Sequence, residues 1–153
     1  MKEIELTQGK FALVDDDNYD YLMQWKWCVT SCGNRFYAMR AVKDNGKNIY
    51  IYLHRLIMKT PINLFVDHVD HNTLNCQKYN MRNCTRQENS QNRKAWNYGT
   101  SIYLGVSFNK ERNLFRADIR NIHLGYFSNE IDAAKTYDLK AKEIYGEFAN
   151  LNF

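Results

Sequence analysis

No apolar run in the sequence approaches the roughly 20 residues that a membrane-spanning helix needs. The opening stretch, MKEIELTQGK, has no apolar core of the signal-peptide kind. Both absences lead to the expectation of an intracellular protein with no membrane partner. The four cysteines (Cys28, Cys32, Cys76 and Cys84) show no CxxC spacing. The chain is also too long to depend on disulfide stapling, so we expect reduced, structural cysteines. A zinc site drawing on Cys76, Cys84 and nearby histidines stays open as the alternative. Proline occurs once, at Pro61. Internal repeats and low-complexity segments are absent. Strong charge is missing too: the formal net charge is +4, too mild on its own to demand a polyanionic partner.

What is there is an ordinary globular composition, 44% hydrophobic and 25% charged, on a length that allows one medium domain or two small ones. The placement of charge says more than its sum. Between Thr85 and Arg120 stand seven basic side chains, Arg86, Arg93, Lys94, Lys110, Arg112, Arg116 and Arg120. Three acids oppose them, Glu88, Glu111 and Asp118, and the rest of the chain is balanced. Trp96, Tyr98, Tyr103, Phe108 and Phe115 are interleaved. Cations mixed with aromatic rings suit a polyanion carrying flat bases. A solvated basic face is the other reading, and charge alone does not choose.

The first third reads as β-rich. IELTQGKFALV is a short strand pair broken at Gln8-Gly9. NYDYLMQWKWCV is a short helix or turn feeding a strand. RFYAMRAV and NIYIYLHRLIM flank Asn45-Gly46, a tight-turn signal because both residues tolerate positive φ. Pro61 ends whatever LHRLIM forms. Thr85 with Glu88 three positions on makes a capping box, which predicts a helix from Arg86. AWNYGTS is the best domain boundary. YLGVSFN, LFRADIR and HLGYF then read as three strands. SNEIDAAKTYDLKAKEIYG is an amphipathic helix, with acids at its positive end and Gly146 at its stop. Its stripe of Ala134, Tyr137, Ala141, Ile144 and Tyr145 is expected to pack on the strands.

The stretch VDHVDHNTLN, residues 66 to 75, raises the chemical question. Asp67-His68 and Asp70-His71 are two acid-imidazole pairs. Such pairs bind a metal, work as acid and base, or decorate a polar loop. Phosphodiester hydrolysis needs a base for water, which a neutral histidine supplies near pH 7. It also needs the developing charge neutralised, usually by a divalent ion. Hard cations prefer oxygen donors such as Asp and Asn. Adjacent strand residues face opposite ways, so Asp67 and His68 share a site only where the strand ends or kinks.

Residues 65 to 93 resemble the HNH endonuclease family, whose core is the ββα-metal fold. The resemblance rests on Asp67-His68, Asn80 in YNMRNCT and Asn89 in QENSQNR, with LHRLIM (residues 53 to 58) ahead of them. It implies His68 as general base, Asn80 as the residue that orients it, and Asp67 with Asn89 as ligands of Mg²⁺ or Mn²⁺. Asparagine at the third motif position is familiar among phage members. Asp70 and His71 are expected to be a polar turn in a solvent-facing loop, and His54 a structural residue. Residues 101 to 153 resemble the AP2/ERF DNA-binding domain, through YLGVSF, FRADIR, HLGYFSNEIDAAKTYDLKAKEIYGEFANLNF and the terminal LNF. Leu104, Ser107 and His123 depart from the plant pattern, so plant site specificity is not implied. Arg120 matches a DNA-contacting position of that family. Asn109, Lys110, Arg112, Arg116 and His123 are expected contacts by charge and strand placement, and Arg93 and Lys94 by charge.

These readings combine into an α+β chain. An HNH nuclease domain with a β-rich extension is expected over residues 1–96, and an AP2-like three-stranded antiparallel sheet packed on one helix over residues 97–153. The expected function is metal-dependent cleavage of double-stranded DNA, without a small-molecule cofactor, by a phage or mobile-element homing-type enzyme. It would work in the cytoplasm of a bacterial host, as a monomer, with a dimer as the alternative. The products implied are a 5′-phosphate and a 3′-hydroxyl. The rivals are a DNA-binding regulator with an inert nuclease centre and a zinc-stabilised interaction module.

Overall fold

The computed structural model describes residues 1–92 and 99–153. Contacts among these residues form two units, Met1–Arg86 and Gln87–Phe153. The boundary expected at 96/97 lies in the stretch 93–98, outside the described residues. No described helix is long and apolar enough to cross a membrane.

In the first unit, β1 (Lys2–Glu5) and β2 (Phe11–Val14) pair antiparallel. Gln8 and Gly9 between them both take positive φ, which is how the chain reverses at the Gln8-Gly9 break. Helix α1 (Asp16–Leu22) carries Asp16 and Asp17 in its first turn, where the helix dipole favours acids. Strands β3 (Cys28–Cys32), β4 (Arg35–Asp44) and β5 (Lys47–Tyr52) form one antiparallel sheet. Asn45 (φ 47°) and Gly46 (φ 78°) make its tight turn. Ile4, Ala12, Val14, Leu22, Trp27, Ala38 and Leu53 close a core against these strands. The Trp27 indole N–H donates to the Leu22 carbonyl at 2.9 Å, so the ring is buried without an unpaired donor.

Helix α2 (Leu53–Met58) stops at Lys59, which is left-handed (φ 47°). Arg55 then ties down the loop after it, donating to the carbonyls of Leu64 at 2.8 Å and Pro61 at 2.9 Å. That loop delivers β6 (Phe65–His68), which pairs antiparallel with β7 (Met81–Cys84). Asp67 stands opposite Arg82, and His68 opposite Met81. Helix α3 (Arg86–Asn89) follows directly, and the division between the units falls within it, after Arg86.

The second unit has a three-stranded antiparallel sheet of β8 (Val106–Asn109), β9 (Leu114–Ile119) and β10 (Ile122–Phe127). Helix α4 (Glu130–Tyr145) packs on it. The Asn129 side chain caps the helix, accepting from the Ile131 N–H at 2.9 Å. Ala133, Ala134, Tyr137 and Ala141 are buried with Val106, Ala117 and Ile119. Small residues let the helix lie close: a Cβ on Gly105 would sit 2.0 Å from the Tyr137 ring. Gly105 also takes φ 76°, so both space and backbone require glycine there. The terminal LNF is clamped from the helix. Asp138 accepts the N–H groups of Asn152 (2.9 Å) and Phe153 (3.0 Å), and Asn152 Oδ1 accepts the Leu104 N–H at 2.7 Å.

Candidate active site

Asp67 and His68 are the last two residues of β6, and both are buried. The strand stops there because a turn follows: the His71 N–H reaches the His68 carbonyl at 3.0 Å, and His71 itself is left-handed (φ 64°). The strand end that the adjacent pair requires is therefore present.

Asn80 holds this turn. Its side-chain oxygen accepts the Asp70 N–H at 3.0 Å, and its backbone carbonyl accepts the Val69 N–H at 2.9 Å. Its amide nitrogen donates to Asp70 Oδ1 and to the Asn75 carbonyl, each at 2.9 Å. The amide thus acts on the backbone that follows His68 rather than on the imidazole. Asp70 gathers the loop further, accepting the Asn72 N–H at 2.7 Å and the Asn75 amide at 2.8 Å. These bonds hold the Asp70 carboxyl below its ordinary range, against the opposing effect of its partial burial.

The loop is not the solvent-facing segment that the family resemblance implies. Thr73, Asn75, Cys76 and Gln77 are buried. The N-terminal hairpin grips them: Leu13 exchanges backbone bonds with Leu74 and Cys76 at 2.9 and 2.8 Å. The Asp15 carboxylate accepts the Lys78 N–H at 2.8 Å, and Thr73 donates to the Phe36 carbonyl. Asp70, exposed, and His71, half-buried, form the corner of this loop, a polar turn.

The two catalytic candidates have different neighbours. Asp67 Oδ2 accepts from Arg82 Nε at 2.8 Å and from its terminal nitrogen at 2.6 Å. A buried carboxylate needs such a counter-charge. The ring of His68 meets the ring of His54 edge-on, with centroids 5.5 Å apart. Burial pushes His68 down to about 4, while Asp70 and Asp67 pull the other way and Arg35 adds to the fall. At neutral pH the imidazole is thus neutral, the form that accepts a proton. Burial likewise takes His54 to about 3, with His68 and Arg55 contributing.

Among the described residues, no group of three His, Cys, Asp or Glu side chains is arranged to hold an ion. None of the four cysteines is in a disulfide, and Cys76 and Cys84 are buried. The donor that Asp67 offers is a hard oxygen. A magnesium ion binds through one or two carboxylates and keeps several waters, so the residue chemistry fits such an ion. Asn89 closes α3, in the second unit.

A curated relative from Acanthamoeba polyphaga mimivirus, described as an uncharacterized HNH endonuclease, is 33% identical over 151 residues. The match takes in 95% of this chain and 76% of the relative. The chain belongs to the HNH endonuclease family. No family model matches the sequence.

In this HNH protein the basic candidates of the second unit divide by side of the sheet. Arg116 on β9 lies across from Ser107 and Tyr126, and His123 lies across from Asp118. Asp118 draws both toward it, with Arg116 Nε at 2.7 Å and His123 Nδ1 at 3.1 Å. Arg112 joins them with its guanidinium 4.6 Å from the Tyr126 ring centroid. Asn109 accepts the Arg112 N–H at 2.9 Å, so it shapes the β8–β9 turn, where Lys110 is exposed. Arg120 is different. It is left-handed (φ 52°) and rests on Tyr145 of α4, 4.8 Å from the ring centroid. It is therefore turned to the helix rather than gathered with Arg116 and His123. Arg93 and Lys94 lie outside the described residues.

Sequence reasoning missed Arg82 as the partner of Asp67. The signal for it was available: a charged residue in the returning strand, which the antiparallel register sets across from Asp67. It also missed the contact between His54 and His68, which no spacing reveals.

Proposed function

We propose that this HNH endonuclease hydrolyses DNA phosphodiester bonds with a bound divalent cation, Mg²⁺ or Mn²⁺. In this reading the second unit acts as an AP2/ERF-like reader that helps select the site. The observation that carries the proposal is the buried Asp67-His68 pair at a strand end, locked by Asn80. His68 takes the proton of the attacking water, and the Asp67 and Asp70 carboxylates stabilise the imidazolium that results. Asn80 positions His68 through the turn. Asp67 would hold the ion, and Asn89 is the second ligand that the family resemblance implies. When bound, the cation neutralises charge on the phosphate and the departing oxygen. Arg82 neutralises Asp67 in the meantime. Arg112, Arg116 and His123 present cations and donors to phosphates and base edges from the sheet, and tethering the reader raises the effective concentration of target DNA at the centre. A phage or mobile-element homing role belongs to this reading.

The test is supercoiled plasmid bearing the neighbouring genomic DNA, incubated with protein and Mg²⁺, with and without EDTA. Cleavage that EDTA stops, leaving 5′-phosphate and 3′-hydroxyl ends, is the expected result. Asp67→Ala should abolish cleavage and leave DNA binding mostly intact. Full activity in that variant refutes the assignment. DNA binding without cleavage by the unmodified protein would instead make it a regulator with an inert centre.

A further inference from the structure

We infer that His54 is a second imidazole of the cleavage centre, donating a hydrogen bond from Nε2 to a non-bridging oxygen of the scissile phosphate. The inference rests on the nuclease reading above. His54 is the second residue of α2 and is only 8% exposed. Its ring stands 5.5 Å from that of His68, at 73°, so one phosphate is within reach of both. Tyr37 and Tyr52 wall it at 5.4 and 5.6 Å and set its plane.

The two nitrogens of that ring are not equivalent. Nδ1 is sealed from solvent with no hydrogen-bond partner, and Nε2 is not among the sealed atoms. A neutral imidazole has one N–H and one lone pair. Orphaned buried N–H groups are rarer than under-satisfied acceptors, so the lone pair goes to Nδ1 and the proton to Nε2. Burial keeps the ring neutral. The result is a fixed donor next to the base. Packing alone does not account for it: a phenyl ring would fill the same space against the tyrosines and leave nothing unpaired. A preorganised donor aimed at an oxygen that gains charge in the transition state does account for it. No proton leaves His54 in this step, because His68 takes the one from water.

The test compares the full-length protein with His54→Phe, His54→Gln and His54→Asn, in single-turnover cleavage of the plasmid with Mg²⁺, in DNA binding and in thermal melting. Glutamine carries an N–H at the reach of Nε2, whereas asparagine reaches only the position of Nδ1. His54→Phe should cut about a hundredfold more slowly, bind DNA within about twofold of wild type, and melt at the same temperature or higher. His54→Gln should recover part of the loss and His54→Asn none. A His54→Phe protein that cuts within about threefold of wild type overturns the inference and leaves the nuclease reading standing. A His54→Phe protein that melts lower or does not fold also overturns it, because His54 would then be a packing residue. If wild type itself does not cut, the nuclease reading is what fails.

Discussion

The two units treat polar side chains in opposite ways. In the first, His54, Asp67, His68, Thr73, Asn75, Gln77 and Asn80 are all buried, crowded around one loop and one strand end. In the second, Arg116 and His123 stand exposed on the sheet and Arg112 in the turn between β8 and β9. Its buried acid, Asp138, is spent on backbone N–H groups of the chain end. Burial strengthens every charge interaction and makes each unpaired group costly. That suits chemistry, where a proton must move at a fixed place. Exposure leaves charges screened and mobile, which suits contact with a phosphate backbone whose strength follows salt.

The sharpest way to separate the units is to remove one cation from each. Arg82→Ala strips the counter-charge from buried Asp67 and should cost the first unit about 3–5 kcal/mol in EDTA. Mg²⁺ should restore part of the loss, because a bound cation replaces the guanidinium. Urea melts with and without Mg²⁺ measure both effects, and an unchanged stability in EDTA breaks the contrast.

A smaller separation comes from acid. An unfolded histidine takes a proton near pH 6.5. Folded His68 does so only near 4 and His54 near 3. Between those values the unfolded state holds more protons, so stability falls as pH falls below about 6.5. From pH 6.5 to 5.5 the two together should remove about 2 kcal/mol from the first unit in metal-free buffer. Tryptophan fluorescence reports this, since Trp25 and Trp27 lie in that unit. A flat melting profile from pH 7 to 5 would mean the two rings are not buried as neutral groups.

The smallest effect on stability is expected at Arg116. Arg116→Ala should leave the melt unchanged, weaken DNA binding, and lower the slope of log affinity against log salt by about one. A lost fold, or an unchanged slope, would remove Arg116 from the binding face.

What could be read from the sequence was local. The β4–β5 turn at Asn45-Gly46, the start of α3 at Arg86 and both ends of α4 follow from side chains acting within a few residues of themselves. The Asp67-His68 pair stood out because its chemistry is adjacent in the chain. What could not be read was whatever depends on partners far away. The loop after His68 looks solvent-facing until Leu13, Asp15 and Phe36 are brought to it. Arg82 finds Asp67 only through strand register, and His54 finds His68 only through packing. Arg120 is expected as a DNA contact from its match to a family position, and its contact with the Tyr145 ring becomes visible only once helix and sheet are brought together.

The claim on which all this depends is that His68 removes the proton from water. Single-turnover cleavage by His68→Ala, with and without added imidazole, tests it most directly. The expected result is a protein that melts normally, cuts at least about a hundredfold more slowly, and regains rate as imidazole is added. Cutting at the wild-type rate without imidazole would contradict it.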